Sequence, residues 1–282
     1  VANPPTPKAL ILELLLVASG GVLSVRDAIL GAGLFDIGES AVRVTLVRLA
    51  AAGLVEGAGR GCYRLGPAAT SLAADVARWR EAGQGLRPWD GRYVAVHCGA
   101  LGRGDRAALR ARSRALNLAG LAELERDFFV RPDNLPGGVE ALRARLAALG
   151  MEPAANVFIA GGFDAKREAA ARALWDGAAL SAAYDRSRAD LDRWLDGALT
   201  LDPDVAAREA FLLGGKAIRQ VIFDPLLPEP LVDAGAREAF FAATRRFDTA
   251  GRRLWQRFFA AQANNNEGET DEQLPADRRL HA

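Results

Sequence analysis

Apolar positions in the first part of the chain recur at helical spacing in three blocks, each closed by glycine. The first block runs from Thr6, with Pro7 at its opening helical position, to Gly20–Gly21. The second begins after Ser24, a good N-cap residue, and stops at Gly31–Gly33. The third covers Glu39 to Ala52 and is closed by Gly53. The period then changes: LVEG and CYRL read as two strands joined by a glycine-rich loop. A connecting helix is expected at Asp75–Ala82, followed by a linker, GQGLRP, at Gly83–Pro88.

From Trp89 to Phe163 strand and helix patterns alternate. RYVAVHC is a strand, Arg103–Asn117 a helix, LAELE and DFFVRP two more strands, Gly138–Leu149 a helix and AANVFIA a last strand. The order βαββαβ is that of the split-βαβ, ferredoxin-like plan. Asp164–Ala261 is helical apart from DGALTLDPD and DPLLPEPLVD. Residues 262–282 carry almost no large apolar side chains and read as a disordered tail. The expected class is therefore α+β. It comprises an N-terminal winged helix-turn-helix domain (1–82), a linker and central ferredoxin-like domain (83–163), an all-α C-terminal domain (164–261) and the tail.

Composition changes this picture little. The 282 residues hold 36 basic and 35 acidic side chains, so the net charge is +1 and any basic surface must be local. Cys62 and Cys98, the only cysteines, are too few for a disulfide framework and lack zinc-site spacing. The apolar run Ala9–Ala18 is interrupted by Glu13 and is too short for a membrane span, which leads to an expectation of a cytoplasmic protein. No cofactor fingerprint or phosphate loop appears.

The local basic surface lies in the third helical block and the loop after it. Val42, Leu46 and Leu49 share one face at buried-stripe spacing. Opposite them stand Ser40, Val44, Val47 and Ala51, with Arg43 and Arg48 on the two flanks. A helix with small residues along its middle and an arginine on each shoulder fits a major groove about 12 Å wide. Arg60 would occupy the tip of the loop as a wing, with Tyr63 and Arg64 against the sugar-phosphate backbone. Three helices followed by such a hairpin make the winged variant of helix-turn-helix, which implies duplex DNA as the partner. The competing account of the same residues is an ordinary solvated helix and hairpin.

The stretch SAVRVTLVRLAAAGLVEGAGRGCYRLG (Ser40–Gly66) also resembles the signature of the phenylacetic-acid-degradation repressor (PaaX-like) family. WDGRYVAV, FFVRPDNL and FDPLLPEPL agree with it in the same order along nearly the whole chain. Leu54 stands where the family usually has tryptophan, and VDAGAREAF follows the proline segment where the family tends to a "WPG" turn. The resemblance implies a homodimeric repressor of a catabolic operon, bound to an inverted repeat and released by an acyl- or aryl-CoA thioester.

Two other classes compete. The central domain's plan is similar to that of a small CRISPR-associated nuclease, but its first strand ends in His97 and Cys98 where a hard metal ion would need a carboxylate. A protein-interaction module without DNA binding is the other. Finally, Arg103, Arg106, Arg110 and Arg114 stack along one helix face, either as a solvated surface or as a phosphate-binding ridge for an effector or for flanking DNA.

Overall fold

In the computed structural model, residues 4–69 and 78–271 are described, and they form a mixed helix-and-sheet protein. Its contacts divide it into two compact units. One comprises Val1–Ala77, Arg193–Gly215 and Arg246–Ala282; the other comprises Arg78–Asp192 and Lys216–Arg245.

The first unit begins with α1 (Pro7–Val17), β1 (Val22–Ser24), α2 (Val25–Gly33) and α3 (Glu39–Ala51), then β2 (Val55–Gly57) and β3 (Cys62–Leu65). Thr6 caps α1 and Ser24 caps α2, each side chain accepting from a backbone N–H of the first turn. The strands form one antiparallel sheet in the order β1-β3-β2, with Leu23 opposite Tyr63 and Glu56 opposite Arg64. β1 gives no signal in the sequence. Three residues between a glycine turn and a helix cap are too few to show a period of two.

The core of this unit joins Leu10, Ile11 and Leu14 of α1 to Val42, Leu46 and Leu49 of α3. Ala207, Trp255 and Phe258, from much later in the chain, complete it. Polar ties reinforce the same junction: Arg252 donates to the Leu16 carbonyl at 2.6 Å, and Arg26 donates to the Gln262 carbonyl at 3.0 Å.

The second unit is built on a four-stranded antiparallel sheet, order β5-β6-β4-β7. Its strands are β4 (Tyr93–His97), β5 (Ala122–Glu125), β6 (Phe128–Pro132) and β7 (Asn156–Ala160). Helices α4 (Arg106–Leu118) and α5 (Gly138–Ala148) bring Leu116, Leu142 and Leu146 onto Val94 and Val96. The other face, Tyr93, Ala95 and Val130, is covered by Ala171 of α6 (Ala165–Arg172). β4 is thus apolar on both sides, which is why its sequence shows no alternation.

The remaining helices are α7 (Gly177–Gly197), α8 (Pro203–Ile222) and α9 (Ala234–Asp271), and segments of them fall in each unit. α9 continues past Gln262, where a structureless tail was expected; the rest of that tail lies outside the described residues. The helix expected at Asp75–Ala82 also falls partly outside them, and only a short 3-10 turn, Arg78–Glu81, is seen of it.

GQGLRP is fastened rather than loose. The Arg87 N–H donates to the Asn134 carbonyl at 2.8 Å, and its guanidinium meets Asp133 at 2.7 Å. No helix among the described residues is long and apolar enough to cross a membrane.

Candidate nucleic-acid interface

α3 presents two opposite faces. Val42, Leu46 and Leu49 are buried in the core, as their spacing predicts. Val44 and Val47, pointing away, are 49% and 66% exposed. Ser40 and Ala51 are exposed on the same outward side, and Arg43 and Arg48 are exposed on the flanks. The helix starts at Gly38, an N-cap without a side-chain hydrogen bond. Its first free N–H groups and their partial positive charge are therefore not covered by a capping side chain.

The two flanking arginines differ. Arg43 is held by Glu39, one turn earlier, at 2.7 Å. Arg48 has no carboxylate partner among the described residues, and neither does Arg60. Arg60 sits at the tip of the β2–β3 hairpin, where Ala58 donates to the Cys62 carbonyl at 2.9 Å. Gly59 and Gly61 flank it with φ of 121° and 68°, conformations that a side-chain-bearing residue adopts only at a cost.

The other two hairpin candidates are engaged. Arg64 reaches Glu56 across the strand pair at 2.6 Å, although its side chain stays mostly exposed. Tyr63 is half-buried and packed against the core of the first unit. The ring is therefore committed to packing, and a role for Tyr63 against a backbone phosphate is limited to its hydroxyl.

The arginine ridge is shorter than the sequence suggested. Arg103 precedes α4 and is bound to Asp127. Arg106, Arg110 and Arg114 are exposed on α4 without a carboxylate partner among the described residues. The fourth helical arginine, Arg112, is buried against Glu152, at 2.5 and 3.1 Å, and also donates to the Gly102 carbonyl. Arg112 was not singled out in the sequence. Its place, between the exposed Arg110 and Arg114 and beside the buried Leu116, is the signal that would have found it.

Two motif stretches meet in the second unit. Arg131 of FFVRPDNL is buried and donates to the carbonyls of Ala119 (2.5 Å), Pro132 (3.3 Å) and Pro225 (3.3 Å), and to the Asn134 side chain (3.1 Å). Asn134 in turn donates to the Leu226 carbonyl at 2.8 Å. Pro225 and Leu226 belong to FDPLLPEPL, so one motif clamps the backbone of the other. Gly120 makes room for this: its φ is 70°, and a Cβ there would lie 3.0 Å from the Pro225 oxygen.

Desolvation pushes the Arg131 pKa down to about 9, which leaves the group charged at neutral pH. Nearby, Tyr184 donates to Asp224 at 2.5 Å, and burial raises the pKa of that carboxyl. The sequence gives no warning of this network, because its acceptors are mostly backbone carbonyls.

His97 ends β4 on the rim of a shallow depression of about 490 Å³ that Phe128, Asn156 and Phe158 also line. Burial pushes the neighbouring Cys98 thiol up to about 11, so it stays protonated and unreactive. Among the described residues no three histidine, cysteine or carboxylate side chains gather as a metal site.

The chain resembles a solved structure over most of its length. That is the uncharacterized protein Rv0674 from Mycobacterium tuberculosis, at 23% identity and a TM-score of 0.58, covering 89% of this chain and 99% of that one. At that identity the likeness is one of fold. No curated protein matches. Residues 175–257, spanning most of α7 to α9, match the model of the PaaX-like protein C-terminal domain. Of the four motif stretches, FDPLLPEPL lies within this match, and residues 175–257 are similar to the C-terminal domain of PaaX-like proteins.

Proposed function

We propose that the protein is a DNA-binding transcriptional regulator, a repressor whose N-terminal residues form a winged helix-turn-helix. α3 enters the major groove and the β2–β3 hairpin lies beside it as the wing. The observation that carries this reading is the outward face of α3: exposed small residues flanked by Arg43 and Arg48, next to a hairpin with Arg60 at its tip. The PaaX-like C-terminal domain supports it, since that family is regulatory. Residues 1–82 supply the reading head, 83–163 a ferredoxin-like domain whose strand order agrees with that plan, and 164–261 the dimerisation and effector region. The residues given to DNA are Ser40, Arg43, Val44, Val47, Arg48, Arg60 and Arg64, with Tyr63 secondary.

A homodimer then binds an inverted repeat, one half-site for each reading head. The releasing metabolite is an acyl- or aryl-CoA thioester, in keeping with the family resemblance. Its phosphates suit the three exposed arginines of α4, Arg106, Arg110 and Arg114. Arg103 drops out of that set because Asp127 already holds it.

The test is binding of the full chain to duplexes selected from a random pool, titrated with salt. A specific regulator gives a selected inverted repeat and an affinity that falls steeply as salt rises. Selection of no sequence, with salt-insensitive binding, would remove the proposal.

A further inference from the structure

We infer that α3 recognises thymine through its methyl group, with Val44 and Val47 seated on the 5-methyl groups of T·A pairs at the centre of each half-site. The inference rests on the DNA-binding reading above and gives it a base preference. Both valines are exposed on a helix whose buried stripe is complete without them. Nor do they serve the helix itself, because valine is a poorer helix former than the alanines at Ala41, Ala50 and Ala51 on the same exposed surface.

What valine adds is a rigid pair of methyl groups. A β-branched side chain keeps essentially one χ1 rotamer in a helix, so little freedom is lost when it meets a partner. Val44 and Val47 are three residues apart, which sets their Cβ atoms about 5–6 Å from each other. That separation spans one to two base-pair steps of about 3.4 Å.

The chemistry of the side chain excludes the other bases. Thymine alone presents a methyl group in the major groove; cytosine presents an amino donor there, and guanine two acceptors. A valine pressed against either of the latter takes a polar group out of water without offering a hydrogen bond. Against thymine it buries apolar surface on both sides. The charged groups near this face, Arg43 with its partner Glu39 and the exposed Arg48, stand on the flanks, where phosphates run.

The experiment uses the full chain and the duplex that it selects from a random pool. Each thymine is replaced in turn by deoxyuridine, symmetrically in both half-sites, which removes only the methyl. The expected result is two positions in each half-site at which affinity falls about fourfold for each methyl removed. That sensitivity should disappear at one position in Val44→Ala and at another in Val47→Ala, variants whose exposed sites leave the fold intact. A duplex bound with no uracil-sensitive position, or with sensitivity equal in wild type and both variants, overturns the inference and leaves DNA binding standing. Failure to select any duplex overturns both.

Discussion

Glu39 and Arg43 stand one helical turn apart on α3 and meet at 2.7 Å, both well exposed. Such a pair contributes about 0.3–0.5 kcal/mol to stability, so its weight lies in binding. On the proposed reading of α3, this carboxylate must be pushed aside when DNA arrives. Glu39→Gln should therefore tighten binding to all duplexes several-fold at low salt while moving thermal stability by less than about 0.5 kcal/mol. Fluorescence anisotropy beside a thermal melt checks both. Weakened binding would mean that Glu39 positions Arg43 rather than restrains it.

Among the described residues, Arg48 and Arg60 have no such restraint. Alanine at either should weaken binding to every sequence alike. It should also reduce the slope of log affinity against log salt by about 0.9 for each phosphate left without its cation. Arg43→Ala should do the same to a smaller extent. A change of base preference in Arg48→Ala would assign that side chain to guanine instead.

Arg131 is a buried, fully engaged cation of the second unit. Arg131→Leu leaves the Ala119 and Pro225 carbonyls without their donor and should cost about 3 kcal/mol. Denaturant unfolding measures this directly. A parallel loss in Asn134→Leu, less than additive with the first, would report the shared clamp on the proline segment.

Asp224 gives the fold a pH dependence of definite sign. Burial raises its carboxyl pKa above the ordinary 3.8, so protonation is easier folded than unfolded. The stabilising contribution is complete below 3.8 and is lost as pH rises through the raised folded value. Tyr184, which donates to Asp224, and the nearby Arg237 and Arg131 oppose part of this shift. Asp224→Asn should flatten that part of the melting-temperature profile between acid and neutral pH. A profile identical to wild type would show that other groups set it.

The three exposed arginines of α4 repel one another at i, i+4 spacing, and Arg106 also sits at the wrong end of the helix dipole. Replacing Arg106, Arg110 and Arg114 with alanine together should therefore raise stability by about a few tenths of a kcal/mol. The same variant should lose the thermal shift produced by a CoA thioester. An unchanged shift would return the ridge to an ordinary solvated surface.

Much of the fold is readable from the chain alone, where local rules decide. The core stripe and the outward face of α3 follow from spacing, and the βαββαβ succession of elements in the central region follows from alternation of period. What stayed hidden depended on partners distant in sequence. β1 exists only because β3 is there to pair with it. The engagement of Arg103 by Asp127 depends on where a carboxylate ends up in space. The Arg131 clamp has backbone carbonyls as acceptors, which leave no mark on the sequence.

Trp255 and Phe258 of α9 lie in the same core as Leu14 and Val42. An N-terminal domain is usually the first to fold during synthesis. Here the core that backs α3 is still incomplete when residue 66 leaves the ribosome, because Ala207, Trp255 and Phe258 have not yet been translated. A prematurely terminated chain would lack these three side chains and leave part of the apolar surface of its first helices uncovered. The earliest helices of the chain are thus the last to have their core closed.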